Sequence, residues 1–192
     1  KFFLIFVPII LIMFIIELYK LKGKPFTNLA FTIFGLLYIA LPFTSFNYLA
    51  FNSIFDFKYN YSLILCLFIF NWTNDTGAYL SGISLGRHRL FERISPKKSW
   101  EGAVGGAISV VGMSFLFSYF VPELMLRDWI ILGLLVCIFG VFGDLVESLL
   151  KRSLNVKDSG TLLPGHGGFL DRFDAVIFSA PIFFAYLHFV YL

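Results

Sequence analysis

Residues 148–174 read SLLKRSLNVKDSGTLLPGHGGFLDRFD, a stretch that sets Lys151, Arg152, Lys157, Asp158, His166, Asp171, Arg172 and Asp174 between two strongly apolar segments. Ionisable groups are costly in lipid, so their presence there points to function by default. Just upstream, Asp144, Glu147, Ser148 and Lys151 recur at i, i+3, i+4 and i+7 and so share one helical face. Leu145, Val146, Leu149 and Leu150 occupy the other faces, and the polar stripe is expected to line a bundle interior or a wet cavity. Downstream, Gly160, Pro164, Gly165, Gly167 and Gly168 break any helix and give a loop whose backbone can approach a ligand closely. Asp171 and Asp174 then open the last apolar segment at i and i+3, where the helix dipole favours carboxylates and where they are placed to hold a cation.

Carboxylates at Asp144, Asp171 and Asp174 suit a hard cation such as Mg2+. The cations Lys151, Arg152, Lys157 and Arg172, with the backbone N–H groups of the Gly-rich loop, suit phosphate oxygens. The combination is what phosphoryl or nucleotidyl transfer requires. Aspartates alone would fit an ion pathway and cations alone an anion carrier, whereas both together favour a metal-nucleotide substrate. Embedding in lipid adds a second substrate with acyl tails. The residues by themselves lead to metal-dependent phosphotransfer on a lipid.

These groups need a membrane scaffold, and the composition supplies one. The 192 residues are 58% hydrophobic and 20% aromatic with a mean hydropathy of +0.83, which excludes an ordinary soluble domain. The expected fold is all-α, a polytopic integral membrane protein with about six transmembrane helices at residues 2–19, 29–49, 61–80, 103–121, 129–150 and 173–191. Residues 1–60 are expected to form N-terminal membrane helices, and 61–192 a catalytic membrane domain. The chain opens in apolar sequence at Lys1 without an initiator Met, the pattern expected if further N-terminal helices are missing. Cys66 and Cys137 have no CxxC partner and are expected to be buried thiols.

Of the 15 Lys and Arg residues, 12 lie in the loops after the first, third and fifth segments. The positive-inside rule makes those loops cytoplasmic, on the side that holds nucleotides. The third loop, GRHRLFERISPKKSWEG, is basic and hairpin-like. Ser95 and Pro96 match a helix cap and first helical position, with Ser99 as a second cap. Lys97 and Lys98 would then stand near a helix N-terminus, where the dipole disfavours cations, and anionic headgroups or phosphates would explain them. Asp75, inside an apolar segment, calls for a Lys or Arg partner or a ligand role. Gly77 with Ser81, and Gly102 with Gly106, have the spacing that brings helices together, within the chain or in a homodimer. His88 and His188 are isolated and expected to be packed or solvated rings.

The run Ser148, Leu150, Lys151, Arg152, Lys157, Asp158, Gly160, Leu163, Pro164, His166, Gly167, Gly168, Phe169, Asp171, Arg172, Phe173 and Asp174 resembles, without departure, the signature of the CDP-diacylglycerol synthases, or phosphatidate cytidylyltransferases. NDTGAY around Asp75 and SPKKSWEG at 95–102 resemble the family's other motifs, so the likeness covers about residues 70–192. It implies the reaction of CTP with phosphatidic acid to give CDP-diacylglycerol and pyrophosphate. It also implies a requirement for Mg2+, with room for a second cation. With the carboxylate chemistry, it puts Asp144, Asp171 and Asp174 at the metal. Lys151, Arg152, Lys157 and Arg172 would hold the CTP phosphates, the lipid headgroup or the departing pyrophosphate. Gly167 and Gly168 would permit close backbone approach, and His166 would bind phosphate or order the loop. Asp75, Lys97, Lys98, Ser99 and Ser148 complete the substrate-binding set. For Glu147 and Asp158, a structural ion pair competes with a substrate role.

The expected partners are CTP, phosphatidic acid and membrane lipids, with no nucleic acid. The expected location is a bacterial inner membrane with the site facing the cytoplasm. Two alternatives use similar residues. A CTP-dependent polyprenol or phytol kinase would need a general base beside a lipid hydroxyl, and an anion transporter would leave the three aspartates unexplained.

Overall fold

The computed structural model describes residues 3–20, 23–92, 94–156, 159–160 and 168–191. They form six α-helices, α1 Phe3–Tyr19, α2 Pro25–Ala50, α3 Ser62–Leu85, α4 Trp100–Phe120, α5 Leu126–Ser153 and α6 Leu170–Tyr191. A 3-10 turn, Ser53–Phe55, follows α2, and a hairpin of β1 Arg89–Phe91 and β2 Ser95–Ser99 joins α3 to α4. The fold is an all-α membrane architecture carrying one small hairpin.

Contacts divide the chain into compact units at residues 1–41 and 42–192, upstream of the boundary expected at residue 60. The division falls inside α2, because Leu49 is buried in the core of the second unit with Phe46 packed against it. In the first unit, Glu17 near the end of α1 pairs with Lys20 and accepts a hydrogen bond from Asn28 Nδ2 of α2 at 3.3 Å.

In the second unit α3 packs on α4, α4 on α5 and α5 on α6, with α3 also touching α5 and α6. The α3–α4 contact uses the small residues singled out above. Gly77 lies against Ser109 and the Gly105 carbonyl, and Gly106 against Asn74. Their spacing therefore serves packing within the chain. The core joins Leu63, Leu67 and Phe70 of α3, Val110 and Phe117 of α4, Trp129 and Leu132 of α5, and Ala180 and Phe183 of α6. Phe70 meets Phe117 edge-on at 4.7 Å between centroids, and Cys66 and Cys137 are free, buried thiols.

Four helices among the described residues are long and apolar enough to cross a membrane, namely α2 continued to Phe55, α4, α5 and α6. The chain is thus an integral membrane protein. About six crossings were expected. The described α1 is only 17 residues long, and Asn71, Thr73, Asn74 and Asp75 lower the apolarity of α3. Buried Asn71 is satisfied by donating to the Leu67 carbonyl at 2.9 Å and to Ser179 Oγ of α6 at 3.2 Å.

The ends of α5 decide where the site lies. At its start Asp128, fully buried, accepts hydrogen bonds from the Tyr186 hydroxyl at 2.7 Å and from the Tyr191 hydroxyl, both on α6. Its other end stops before the glycines. Asn155 takes a left-handed conformation (φ 55°), with Asn155 N–H donating to the Arg152 carbonyl at 3.1 Å and Val156 N–H to the Lys151 carbonyl at 3.0 Å. This is the Schellman pattern, and asparagine tolerates the left-handed position it needs.

Near that end α6 comes close enough to α5 that a Cβ on Gly143 would run into the Asp174 carbonyl. A backbone oxygen cannot swing aside as a side chain can. Gly143→Ala is expected to destabilise the protein by about 1–3 kcal/mol, lowering the midpoint of thermal unfolding in detergent. An unchanged midpoint would show that α6 shifts freely along α5.

Candidate functional site

The charged residues gather at one end of the bundle, where α3 and α5 finish and α4 and α6 begin. The hairpin covers part of this end. Its strands pair antiparallel, with Arg89 opposite Ser99 and Phe91 opposite Ser95. Ser95 and Pro96, expected to start a helix, belong to β2 instead. The helix starts at Trp100, with Ser99 as its cap accepting the Gly102 N–H at 3.2 Å. Pairing with β1 holds residues 95–99 extended, which overrides the local Ser-Pro signal. Glu101 in the first turn of α4 accepts the His88 N–H at 3.2 Å and meets His88 Nδ1 at 2.6 Å, securing the base of the hairpin.

A cavity of about 500 Å³ lies between α3, the hairpin and the start of α4. Asp75 and Asn74 of α3, Arg89 of β1, and Lys97, Lys98 and Ser99 of β2 line it. The structure thus unites Asp75, Lys97, Lys98 and Ser99, which belong to two separate motifs. Arg89 and Asn74 are additions to that set. Arg89 was hidden among the topology-setting cations of the loop.

Beside the cavity runs the polar stripe of α5. Lys98 pairs with Asp144, whose Oδ1 lies 3.4 Å from Ser148 Oγ one turn on. Glu147 is fully buried and ion-paired with Lys151 at 2.5 Å. Lys151 Nζ also donates to Asp171 Oδ1 of α6 at 2.7 Å. One lysine therefore joins the two helices through two carboxylates. Asp144, Glu147 and Asp174 bring one oxygen each to within 4.8 Å of one another.

That grouping differs from the expected Asp144, Asp171 and Asp174. Asp171 points instead at Lys151 and the incoming loop, its Oδ2 accepting from Ser159 N–H (2.9 Å), Ser159 Oγ (2.8 Å) and Gly168 N–H (2.8 Å). Gly168, expected to let a ligand approach, here lets the Ser159–Gly160 backbone approach, since a Cβ on it would meet the Gly160 nitrogen at 2.7 Å. Glu147 stands on the stripe at i+3 from Asp144, where an ion pair and a substrate role are both open to it; it pairs with Lys151 and also joins the acidic group, a place the spacing does not assign it. Ser159 carried no sequence signal beyond its position in the loop.

Arg152 is exposed in the last turn of α5, and Arg172 N–H donates to the Phe169 carbonyl at 3.1 Å as α6 begins. Lys157, Asp158, His166 and Gly167 lie outside the described residues. Phe169 stacks on Phe173 at 4.5 Å, with Phe43 of α2 beside both rings.

The model of the cytidylyltransferase family matches residues 1–190, further upstream than the likeness traced from motifs. The chain is 43% identical over 132 residues to the phosphatidate cytidylyltransferase of Haemophilus influenzae, covering 66% of this chain and 46% of that protein. With the phosphatidate cytidylyltransferase of Staphylococcus aureus it shares 39% identity over 174 residues, 88% of this chain and 64% of that one. The uncharacterized protein YnbB of Escherichia coli is 42% identical over 127 residues, 66% of this chain and 43% of that protein. The chain thus spans from under half to just under two thirds of the length of these relatives.

Asp171 holds together the end of α5, the loop and the start of α6, so its charge is needed for the fold of this end. Asp171→Asn keeps the volume but loses the ion pair, and a cost of about 2 kcal/mol is expected, read as a lowered unfolding midpoint in detergent. An unchanged midpoint would release Asp171 from this structural role.

Proposed function

The chain belongs to the cytidylyltransferase family, and from that membership we propose that it serves the transfer of CMP from CTP to phosphatidic acid, giving CDP-diacylglycerol and pyrophosphate. The observation that carries this reading is a carboxylate group touching, through Lys98, a cavity lined by cations. With all four ionised, Asp144, Glu147, Asp171 and Asp174 outnumber Lys98 and Lys151 by two negative charges, the charge that one divalent cation balances.

The donors fit such a cation. They are all carboxylate oxygens, as hard cations prefer, and buried Glu147, paired with Lys151 through Oε2, keeps an Oε1 with no hydrogen-bond partner among the described residues. Asp144, Glu147 and Asp174 would hold Mg2+, which when bound supplies positive charge to the triphosphate and to the reacting phosphorus. Asp171, placed at the metal by the motif, would reach a second cation only by releasing Lys151 and Ser159.

The chemistry asks little covalent work of the protein. A phosphate oxygen of phosphatidic acid attacks the α-phosphorus of CTP, the bond to the β-phosphate breaks, and pyrophosphate leaves. The lipid phosphate is itself the nucleophile, so no activated Ser or Cys is needed. The barrier lies in bringing two polyanions together in line, which positioned cations lower. Arg89, Lys97 and Lys98 serve one phosphate group from the hairpin side. Lys151, Arg152 and Arg172 serve another from the α5–α6 side, and Lys157, His166 and Gly167 of the same signature stretch are assigned to it by the motif.

In this reading α1 and α3 complete six crossings, and the basic loops place the site on the cytoplasmic face of a bacterial inner membrane. A homodimer gains no support from the small-residue spacing, which α3 and α4 use against each other.

The test is pyrophosphate release by the protein in detergent with CTP, phosphatidic acid and Mg2+, each omitted in turn. Release that needs all three, with a CDP-lipid product, is expected. CDP release with a lipid alcohol would indicate a kinase, and metal-independent anion flux without turnover a transporter. Separately, Glu147→Gln is expected to weaken Mn2+ binding about tenfold by titration, since it removes one buried ligand charge. Unaltered binding would remove Glu147 from the cation site.

A further inference from the structure

Lys98 belongs to two neighbourhoods with opposite needs. It lines the cavity beside Arg89 and Lys97, a place suited to phosphate, while its ammonium rests on Asp144 of the acidic group. The side chains of the pair are 29% and 31% exposed, so the contact stands at a wet boundary where separation is cheap. Lys151 is placed differently. It is 18% exposed and held by both Glu147 and Asp171, so moving it would unpair two carboxylates at once.

Three carboxylates with oxygens within 4.8 Å repel one another strongly unless a cation sits among or beside them. Some positive charge must therefore attend the group whether or not a metal is present. Lysine suits a temporary post, being a compact point charge on a flexible four-carbon stem. Carried on the hairpin, Lys98 can exchange one anion for another without moving α5 or α6.

Resting on the metal reading above, we propose that Lys98 is the resident counter-ion of Asp144 when no divalent cation is bound, and that cation entry releases its ammonium to a phosphate in the adjoining cavity. Cation and phosphate binding are then coupled through one side chain. By linkage each tightens the other to the same degree. The site thus attracts phosphate less before the cation arrives and does not leave its carboxylates bare beforehand.

The test uses the full chain in detergent and two probes, Mn2+ followed by electron paramagnetic resonance and inorganic pyrophosphate followed by calorimetry at saturating Mn2+. Lys98→Met is expected to bind Mn2+ about three- to fivefold tighter without anion, the scale of one partly exposed ion pair, and to bind pyrophosphate more weakly by a similar factor. Lys97→Met separates this from a general loss of positive charge. Lys97 lines the same cavity but makes no ion pair among the described residues, so it should weaken pyrophosphate and leave Mn2+ affinity unchanged within about twofold, well short of that exchange. Lys98→Arg, which keeps the charge, should bind Mn2+ more weakly than Lys98→Met. The proposal is overturned if Lys98→Met binds Mn2+ no tighter than Lys97→Met, or if its pyrophosphate affinity equals that of the wild type. Absence of Mn2+ binding in the wild type and every variant would overturn the metal reading with it, which distinguishes the two failures.

Discussion

Ionised groups withdrawn from water must be given opposite charge, and at this end of the bundle that requirement shapes the structure around it. Lys151 lies between Glu147 and Asp171, so α5 and α6 meet through a shared cation. The same demand draws Lys98 of the hairpin onto Asp144, at the wetter edge of the group. Removing one member of such a set leaves its partner charged and buried, which costs more than the pair itself contributes. The order of this region is therefore collective.

Electrostatics alone would not bring these groups together if the helices could not approach. Gly143 lets the α6 backbone come against α5 beside Asp144, and Gly102, Gly105 and Gly106 let α3 come against α4 below the cavity. Where bulky residues face each other instead, as at Phe70, Phe117 and Trp129, the helices are held by aromatic packing well away from the charges. Close backbone contact near the site and thick side-chain packing remote from it are complementary parts of one bundle. The narrow contacts set the geometry of the carboxylates, and the wide ones supply the apolar burial.

Much of this was legible in the sequence because it is periodic. The stripe of Asp144, Glu147, Ser148 and Lys151 follows from helical spacing, and the inward face of α5 carries it as expected. Ser99 was recognisable as a cap by its own chemistry. What could not be read depends on partners distant in the chain. Asp171 and Asp174 stand three apart on one helix, yet one turns to Lys151 and the loop while the other joins Asp144, a division set by where α5 lies. Ser95 and Pro96 carry a helix-start signal that loses to strand pairing with β1. Asn155 ends α5 before the glycines are reached, because a single left-handed residue suffices.

The buried Asp128 at the far end of α5, held by Tyr186 and Tyr191, gains a further meaning beside Lys151 at the near end. The two helices are tied near both ends of α5. Such a pair can neither slide in register nor splay, and behaves as a strut of fixed length. A bilayer of different thickness must then be met by tilting the strut as a whole. The depth of the carboxylates in the bilayer is thereby tied to membrane thickness.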